Sequence, residues 1–454
     1  MDEQQLRRLK PELDRFLERY AWLFDVNEMH ARRMVQGLLR VGERRNIENI
    51  AEALEGGPVR SLQAFITTGA WNDAEILSQM RFDLLEVLAD DDAVWNSDET
   101  GFPKKGTQSV GVQRQYSGTL GGVDNCQVAV FANYCSTTGH AFMDRRLFLP
   151  KEWATAAERR QKAGVPDEVI FRTKPALALE MVAQAVAERI PFRWVGGDAV
   201  YGNNPTFVQG VRALGKWYVV DIPCDTLVWT EQPQVIQAKD RPRWQDGRSP
   251  AKPLVVGRRR QVDDIMAALP ASAWQRIVVS EGSQGPWMYE YAEVPVWFSE
   301  DGLPGPAERL LARRTLGQSP QLKYHRAYAP MTVPLTKLAQ VRGTRWTIEE
   351  DIQSGKGECG LDEYETRGWV GWHHHTALSM LALAFLTLQK QRLGEKRAAA
   401  DRAGSPRRAE PSARRAYLGH RRNPHLVELA PRAQSSSRAK PSPPAPRRAT
   451  ATAK

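Results

Sequence analysis

The spacing of apolar residues changes near residue 90, and this change limits the possible folds more than any other feature. Before it, apolar residues recur every three or four positions, as in Leu6, Leu9 and Leu13, which is typical of amphipathic helices. From about Ala93, short apolar runs separated by Gly-rich turns take over, and these indicate strands. The sequence therefore predicts a helical N-terminal domain over residues 1–90, followed by a sheet.

The strand candidates after residue 90 follow a defined order. The runs AVWNSD, QVAVFANYC and HAFMDRRLFLP come first, then a helical stretch at 175–189, then FRWVGGD and KWYVVDIP. Strands in a meander followed by strands alternating with a helix favour a mixed α/β sheet over residues 91–225. Residues 226–325 are rich in Pro, Trp and Gly with short strand candidates, which predicts a β-rich insertion.

Helical patterns return after the insertion. RWTIEEDIQSGKGECG begins one helix, and GWHHHTALSMLALAFLTLQKQ gives a second that is apolar enough to be buried on most sides. Residues 326–390 therefore form the last part of the α/β core. Residues 391–454 are dominated by Arg, Ala, Pro and Ser, and we expect a disordered basic tail there.

The net charge is unevenly distributed. The whole chain carries +10, but residues 390–454 contain 17 basic and four acidic side chains, so the tail alone carries +13. The first 389 residues are left near −3, which excludes a uniformly positive body that coats nucleic acid. Any DNA-binding surface in the folded part must be local.

The sequence supports neither a membrane protein nor a protein stabilised by disulfides. The longest mainly apolar run, 377–388, is too short to span a bilayer, and no apolar stretch follows the first charges as in a secretory signal. We therefore expect a cytoplasmic protein. The four cysteines lie far apart without a C-x-x-C pair, so reduced thiols are expected.

Two aspartates stand where predicted strands end. Asp98 closes AVWNSD and Asp198 closes FRWVGGD. Sites in α/β sheets assemble at the carboxyl ends of strands, so adjacent strands would bring both carboxylates to one place. The alternative is ordinary turn chemistry, since Asp is common before turns that contain Gly or Asn.

A third charged group lies on the helix that begins near Arg345. Arg345, Glu349 and Lys356 are separated by four and seven residues, which places them on one helix face. A solvated face of ion pairs is the alternative interpretation. Three carboxylates with basic neighbours would suit a hard divalent cation such as Mg²⁺, which prefers oxygen ligands.

These segments resemble a known family. DETGFPKKG, GGDAVYG and RWTIEEDIQSGKGECGLDEYETRGW resemble the three motifs of DDE-type insertion-sequence transposases, which are bacterial DDE superfamily endonucleases with a ribonuclease-H-like core. The resemblance covers residues 15–390. Related transposases carry Y-x2-R-x3-E-x6-K on the last helix; Arg345, Glu349 and Lys356 match R, E and K, while Arg342 occupies the tyrosine position.

The resemblance implies a mechanism and its residues. It implies a catalytic, metal-binding triad of Asp98, Asp198 and Glu349 that holds two Mg²⁺ ions or Mn²⁺ in their place. The DNA phosphate contacts that it implies are Arg345, Lys356, Lys104 and Lys105. It further implies double-stranded DNA as the partner, both terminal inverted repeats and target DNA, with DNA binding by the N-terminal domain and a homodimer on DNA.

Two other functions stay open at this point. One is a catalytically silent DNA-binding protein derived from a transposase, and the other is a metal-dependent phosphoesterase acting on small substrates. A small-molecule hydrolase should lack the steep salt dependence that accompanies binding of duplex DNA.

Overall fold

A computed structural model describes residues 3–402, except for 41, 43, 55–57, 243–250 and 283–284. Of the predicted basic tail, residues 403–454 lie outside the described part. No helix in the described part is both long and apolar enough to cross a membrane.

Helices occupy both ends of the described chain and the connections between central strands. They are α1 Glu3–Glu18, α2 Ala21–Phe24, α3 Glu28–Arg40, α4 Ile47–Ala53, α5 Val59–Thr68, α6 Asp73–Leu88, α7 Lys151–Thr155, α8 Ala157–Ala163, α9 Lys174–Ala187, α10 Ala199–Gly202, α11 Pro205–Ala213, α12 Val262–Ala267, α13 Leu335–Gly343, α14 Trp346–Cys359 and α15 Trp369–Arg402.

The strands begin directly after α6. They are β1 Val94–Pro103, β2 Gln113–Ser117, β3 Gly122–Cys135, β4 His140–Leu147, β5 Trp194–Gly197, β6 Trp217–Ile222, β7 Leu227–Trp229, β8 Gln234–Ile236, β9 Leu254–Val256, β10 Arg260–Gln261, β11 Gln275–Gly282, β12 Gly285–Glu300, β13 Leu303–Arg314 and β14 Leu322–Tyr328.

The central sheet has the predicted mixed arrangement. Its core strands lie in the order β4, β3, β1, β5, β6. Strand β3 is antiparallel to both β1 and β4, whereas β5 and β6 run parallel to β1. Parallel neighbours need crossover connections, which α9 supplies before β5 and α11 before β6. This is the strand order expected of a ribonuclease-H-like core.

The β-rich segment after β6 continues the same sheet. Strand β14 pairs antiparallel with β6, and β13, β12 and β7 follow in that order. The outer edge of β6 would otherwise present unpaired backbone groups, which β14 satisfies. Within the described residues, twelve strands belong to this sheet, while β8 and β9 pair separately.

An apolar core against β5 and β6 holds α13, the helix that leads into α14, and α14 carries the predicted Glu349. Trp194 of β5, Val219 of β6 and Leu311 of β13 are buried together with Leu338 of α13. Helix α13 packs on β11 and β6 and leads directly into α14. Helix α14 then packs on β1, β3 and β4.

The last helix shares a core with the N-terminal helices. Helix α15 contacts α3, α5, α6 and α14, and its predicted apolar stretch, 377–388, is largely buried. The helix extends to Arg402, so the disorder predicted from residue 391 is wrong for its first part. The segment QRLGEKRAAADR consists mostly of strong helix formers, which extend the helix without needing a buried face.

Candidate active site

Asp98 and Asp198 meet on neighbouring parallel strands. Asp98 lies in β1, Asp198 directly follows β5, and the preceding residues Ser97 and Gly197 are register partners. The Asp198 carboxylate also accepts a hydrogen bond from the Val200 backbone N–H at 2.9 Å, which caps the short helix α10. The structure therefore brings these two predicted residues together at one edge of the sheet.

The two glycines before Asp198 are required by close packing. A Cβ on Gly196 would lie 2.1 Å from Oδ1 of Asn96, and a Cβ on Gly197 would lie 3.1 Å from the Tyr201 side chain. The first distance is far below any van der Waals contact. Gly196 thus leaves room for a buried asparagine, Asn96, two residues before Asp98.

A buried polar network fixes the rotation of α14. Asn96 donates to Asn133 of β3 at 3.2 Å, and Asn133 donates to both Thr347 and Asp351 of α14 at 2.9 Å. Asn96, Asn133, Thr347 and Asp351 are all buried. Because a buried polar group without a partner is costly, this network strongly favours one orientation of the helix.

His140 of β4 extends the network. Its Nδ1 lies 2.9 Å from Asp351 and its Nε2 lies 3.4 Å from Glu350. Burial disfavours the charged imidazolium, but the hydrogen bond to Asp351 and the charges of both carboxylates outweigh burial and raise the pKa of His140. The opposite face of α14 is left for Glu349, whose side chain is 56% exposed.

Arg345 lies between two predicted metal ligands. Its Nη1 donates to Asp98 at 2.9 Å and its Nη2 donates to Glu349 at 2.5 Å. The guanidinium thus joins the strand-borne and helix-borne carboxylates. In the described residues, no group of three His, Cys, Asp or Glu side chains is arranged to hold a metal ion in this conformation.

Negative charge at this edge is only partly balanced. Burial raises the pKa of Asp98 to about 7; Arg345 lowers it, while the charges of Asp198 and Glu99 raise it further. Burial also raises the pKa of Asp198, with Glu99 the next cause. Glu99 itself binds Lys174 at 2.9 Å and the Tyr201 hydroxyl at 3.0 Å. Removing these carboxylates from water favours a cation beside them.

Sequence reasoning missed Asp221, which lies in the third parallel strand. It accepts from Arg342 at 2.9 Å, lies 2.8 Å from His325 Nδ1, and lies 3.9 Å from Arg345. Burial alone would raise the pKa of Asp221, but His325 and Arg342 hold it well below its ordinary value. Burial lowers the pKa of His325 to about 4, so it is neutral at about pH 7 and Arg342 supplies the stabilising charge.

A sequence signal for Asp221 existed. The run KWYVVDIP places an aspartate near the end of a predicted strand, as in the two segments that were selected. Its partner Arg342 occupies the tyrosine position of the family signature. The guanidinium of Arg342 is thus engaged in holding β6 against the end of α13.

The predicted lysines differ in their surroundings. Lys105 is exposed. Lys104 donates to the Tyr364 carbonyl at 3.1 Å and lies 3.6 Å above the Tyr364 ring, and burial lowers its pKa to about 8. Lys356 donates to Thr100 at 2.9 Å and to the Gly101 carbonyl at 3.0 Å, which ties α14 to β1. The role of these lysines in phosphate binding stays a prediction.

Comparison with known proteins identifies the family. The sequence profile of the DDE superfamily endonucleases matches residues 24–286, more than half of the chain. The chain belongs to the DDE superfamily endonucleases. A probable transposase for insertion sequence element IS701 from Microchaete diplosiphon is 29% identical over 216 residues, which is 46% of this chain and 53% of the relative. The chain thus spans about half the length of this curated relative.

The similarity to a solved structure is weaker than the similarity to the family profile. The NurA nuclease from Sulfolobus solfataricus aligns with 74% of this chain and 97% of its own, at 9% identity and a TM-score of 0.25. A likeness at that level carries no argument about the site.

The buried state of Asp98 predicts how the stability of this protein depends on pH. In the unfolded chain Asp98 loses its proton near pH 4, whereas in the fold it keeps the proton up to about pH 7. The folded state therefore binds more protons in this window, and the stabilisation present below about pH 4 is lost as pH rises through about 7.

Thermal unfolding without divalent metal measures this effect. Asp98→Asn removes the ionisation, so the Tm of the variant minus that of the wild type should increase between about pH 4 and about pH 8. If the Tm of the variant differed from that of the wild type by the same amount at every pH, Asp98 would not be held protonated by burial.

The close packing at Gly196 predicts a local cost. Gly196→Ala should displace Asn96 and destabilise the protein by about 1–3 kcal/mol, measured by chemical denaturation. Gly357→Ala is the matched control, because Gly357 lies within α14 with open space around its Cβ position and should be neutral or stabilising by up to about 1 kcal/mol. Equal stability of Gly196→Ala and wild type would refute the packing argument.

Proposed function

We propose that this protein is the transposase of an insertion sequence, which binds terminal inverted repeats and catalyses metal-dependent DNA strand cleavage and strand transfer. Membership of the DDE superfamily endonucleases and similarity to a probable transposase support this function. The observation that carries it is the placement of Asp98 and Asp198 on adjacent parallel strands, with Glu349 joined to Asp98 through one arginine.

The donor set fits divalent metal ions. Asp98, Asp198 and Glu349 offer carboxylate oxygens, which Mg²⁺ and Mn²⁺ prefer. Burial first, and neighbouring negative charge after it, raise the pKa values of both aspartates, and a cation would offset that charge. These three residues would hold the metal. When bound, two ions would supply Lewis-acid stabilisation of the phosphodiester oxygens and an activated water or 3′-hydroxyl.

Arg345 would change its partner when the site is loaded. In the present structure it pairs with both Asp98 and Glu349, and its Nε has no hydrogen-bond partner among the described residues. Once the carboxylates are otherwise neutralised, the guanidinium is free to donate two parallel hydrogen bonds to a DNA phosphate. Arg345 would then hold the scissile strand beside Asp98.

The three predicted lysines differ in whether they must give up existing hydrogen bonds before they meet a DNA phosphate. Lys105 is exposed and can meet a phosphate as it stands. Lys104 and Lys356 would need to leave the carbonyl groups of Tyr364 and Gly101 to do so. In the absence of DNA these two ammonium groups stabilise the segments that carry the site.

DNA recognition is assigned to the N-terminal helices. We propose residues 1–90 as the DNA-binding domain, 91–225 and 326–390 as the two parts of the catalytic core, 226–325 as the insertion and 391–454 as the basic tail. A homodimer on paired ends would let two such cores act on two DNA ends. The N-terminal helices share a core with α15, so a shift of bound DNA could be transmitted to α14 through that helix.

A catalytically silent DNA-binding protein is the second candidate. The observation that favours it is Arg345, which satisfies Asp98 and Glu349 without any metal. The two candidates differ in whether added Mg²⁺ leads to strand cleavage.

Asp198→Asn tests the proposed function. This change removes one charge from the predicted metal site but keeps the shape of the side chain. Cleavage of a duplex carrying the element's flanking repeats, measured with Mg²⁺, should fall by more than about 100-fold, because even groups that only orient a metal ligand contribute about 10- to 100-fold. DNA binding should be nearly unchanged.

Asp167→Asn serves as the control, since Asp167 is exposed in the loop after α8. It should cleave at the wild-type rate. Normal cleavage by Asp198→Asn would refute the triad, and the absence of cleavage by the wild type with Mg²⁺ or Mn²⁺ would favour the silent DNA-binding protein.

A further inference from the structure

Three consecutive arginines form an exposed turn within the β-rich insertion. Arg258 and Arg259 lie between β9 and β10, Arg260 is the first residue of β10, and all three side chains are exposed. None of the three guanidinium groups forms an ion pair with a carboxylate among the residues that the structure describes; Arg260 donates only to the Asp264 carbonyl. We call residues 258–260 the arginine turn.

The arginine turn packs on Trp229. A Cβ on Gly257 would lie 3.2 Å from the indole of Trp229, and Trp229 Nε1 donates to the Gly257 carbonyl at 3.3 Å. The guanidinium of Arg259 lies 5.5 Å from the centre of the Trp229 ring. A cation placed on an aromatic face loses less side-chain freedom when it binds an anion than one on a flexible loop.

Backbone contacts anchor the arginine turn next to the active-site edge of the sheet. Val262 N–H donates to the Thr226 carbonyl at 3.0 Å and Asp263 N–H donates to the Cys224 carbonyl at 3.3 Å. Cys224 follows β6 by two residues, and β6 carries Asp221. The arginine turn therefore sits beyond the same strand ends that gather the carboxylates.

A cavity of about 340 Å³ lies beside the arginine turn. Its wall includes Arg259 together with Gly202 and Asn203, which end the short helix α10 that Asp198 caps at its start. Arg326 also lines it, but its charge is balanced by Glu308 at 2.5 Å.

The arginines of the turn form no ion pairs within the described part of the chain, whereas Arg326 on the cavity wall is paired. Glu300 lies 3.3 Å from Arg326 and pairs with Arg212, so these buried groups balance one another. Asp225 on the cavity wall and Asp263 and Asp264 at the start of α12 are acids near the turn, but none of them is ion-paired with its arginines among the described residues. The three exposed guanidinium groups are therefore available to an anion.

We propose that the arginine turn binds backbone phosphates of the DNA segment that extends from Asp198 across this cavity. The inference rests on the proposed function, because it takes DNA as the substrate at Asp198. It assigns the β-rich insertion a role in holding DNA next to the reaction centre. The chemistry is that of arginine forks on phosphate oxygens, which gives affinity without sequence preference.

Salt dependence of DNA binding tests this inference. Binding of the full-length protein to a fluorescent random-sequence duplex is measured by anisotropy at several KCl concentrations, without divalent metal. The double variant Arg258→Gln/Arg259→Gln should lower the slope of log K against log salt by about 1.8, since each lost phosphate contact contributes about 0.9. The single variant Arg258→Gln should lower it by about half as much.

A matched double variant controls for net charge. Arg189→Gln/Arg193→Gln removes two exposed arginines just before β5, at the opposite end of that strand from Asp198, and should leave the slope unchanged. An unchanged slope in the arginine-turn variant, or equal losses in both double variants, would overturn the inference. A wild type that shows no salt-dependent DNA binding would instead refute the proposed function.

Discussion

Burial of negative charge where the pairing of β1 with β5 ends is the constraint on which the rest of the site depends. Adjacent parallel strands place Asp98 and Asp198 at one edge, and their burial makes two neighbouring charges costly. Arg345 offsets part of this cost by reaching both Asp98 and Glu349. In the proposed function, a divalent cation would offset the remaining cost of bringing these carboxylates together.

Helix α14 has a buried face that hydrogen bonds hold in place and an exposed face that carries Glu349. Its buried side is held by Asn133, which bonds Thr347 and Asp351, while its exposed side carries Glu349. The packing of Gly196 against Asn96 connects this arrangement to the strand that ends at Asp198. The placement of Glu349, the proposed metal ligand, therefore relies on buried residues outside the proposed site.

The sequence predicted the mixed sheet and the two aspartates because each signal is local. An Asp after a short apolar run can be read from a few residues, and a meander followed by strand–helix alternation is typical of a mixed sheet. The prediction that the first strand closes at Asp98 was wrong, because β1 continues to Pro103. Contacts between distant segments could not be read in this way. Asp221 meets Arg342 across 121 positions, and Lys104 meets the Tyr364 carbonyl across 260, so neither pairing leaves a local pattern. The helix beyond residue 390 was missed because low hydrophobicity was taken as a sign of disorder, although helix propensity there is high.

The central claim is that Glu349 and the two aspartates bind the metal directly. Exchange of a carboxylate for a thiolate tests this, because a soft sulfur ligand binds Mg²⁺ poorly and softer metals such as Mn²⁺ better. Strand cleavage by Glu349→Cys is measured with each metal in turn. Direct ligation predicts that cleavage is lost in Mg²⁺ and partly restored in Mn²⁺, and cleavage at the wild-type rate in Mg²⁺ would contradict it.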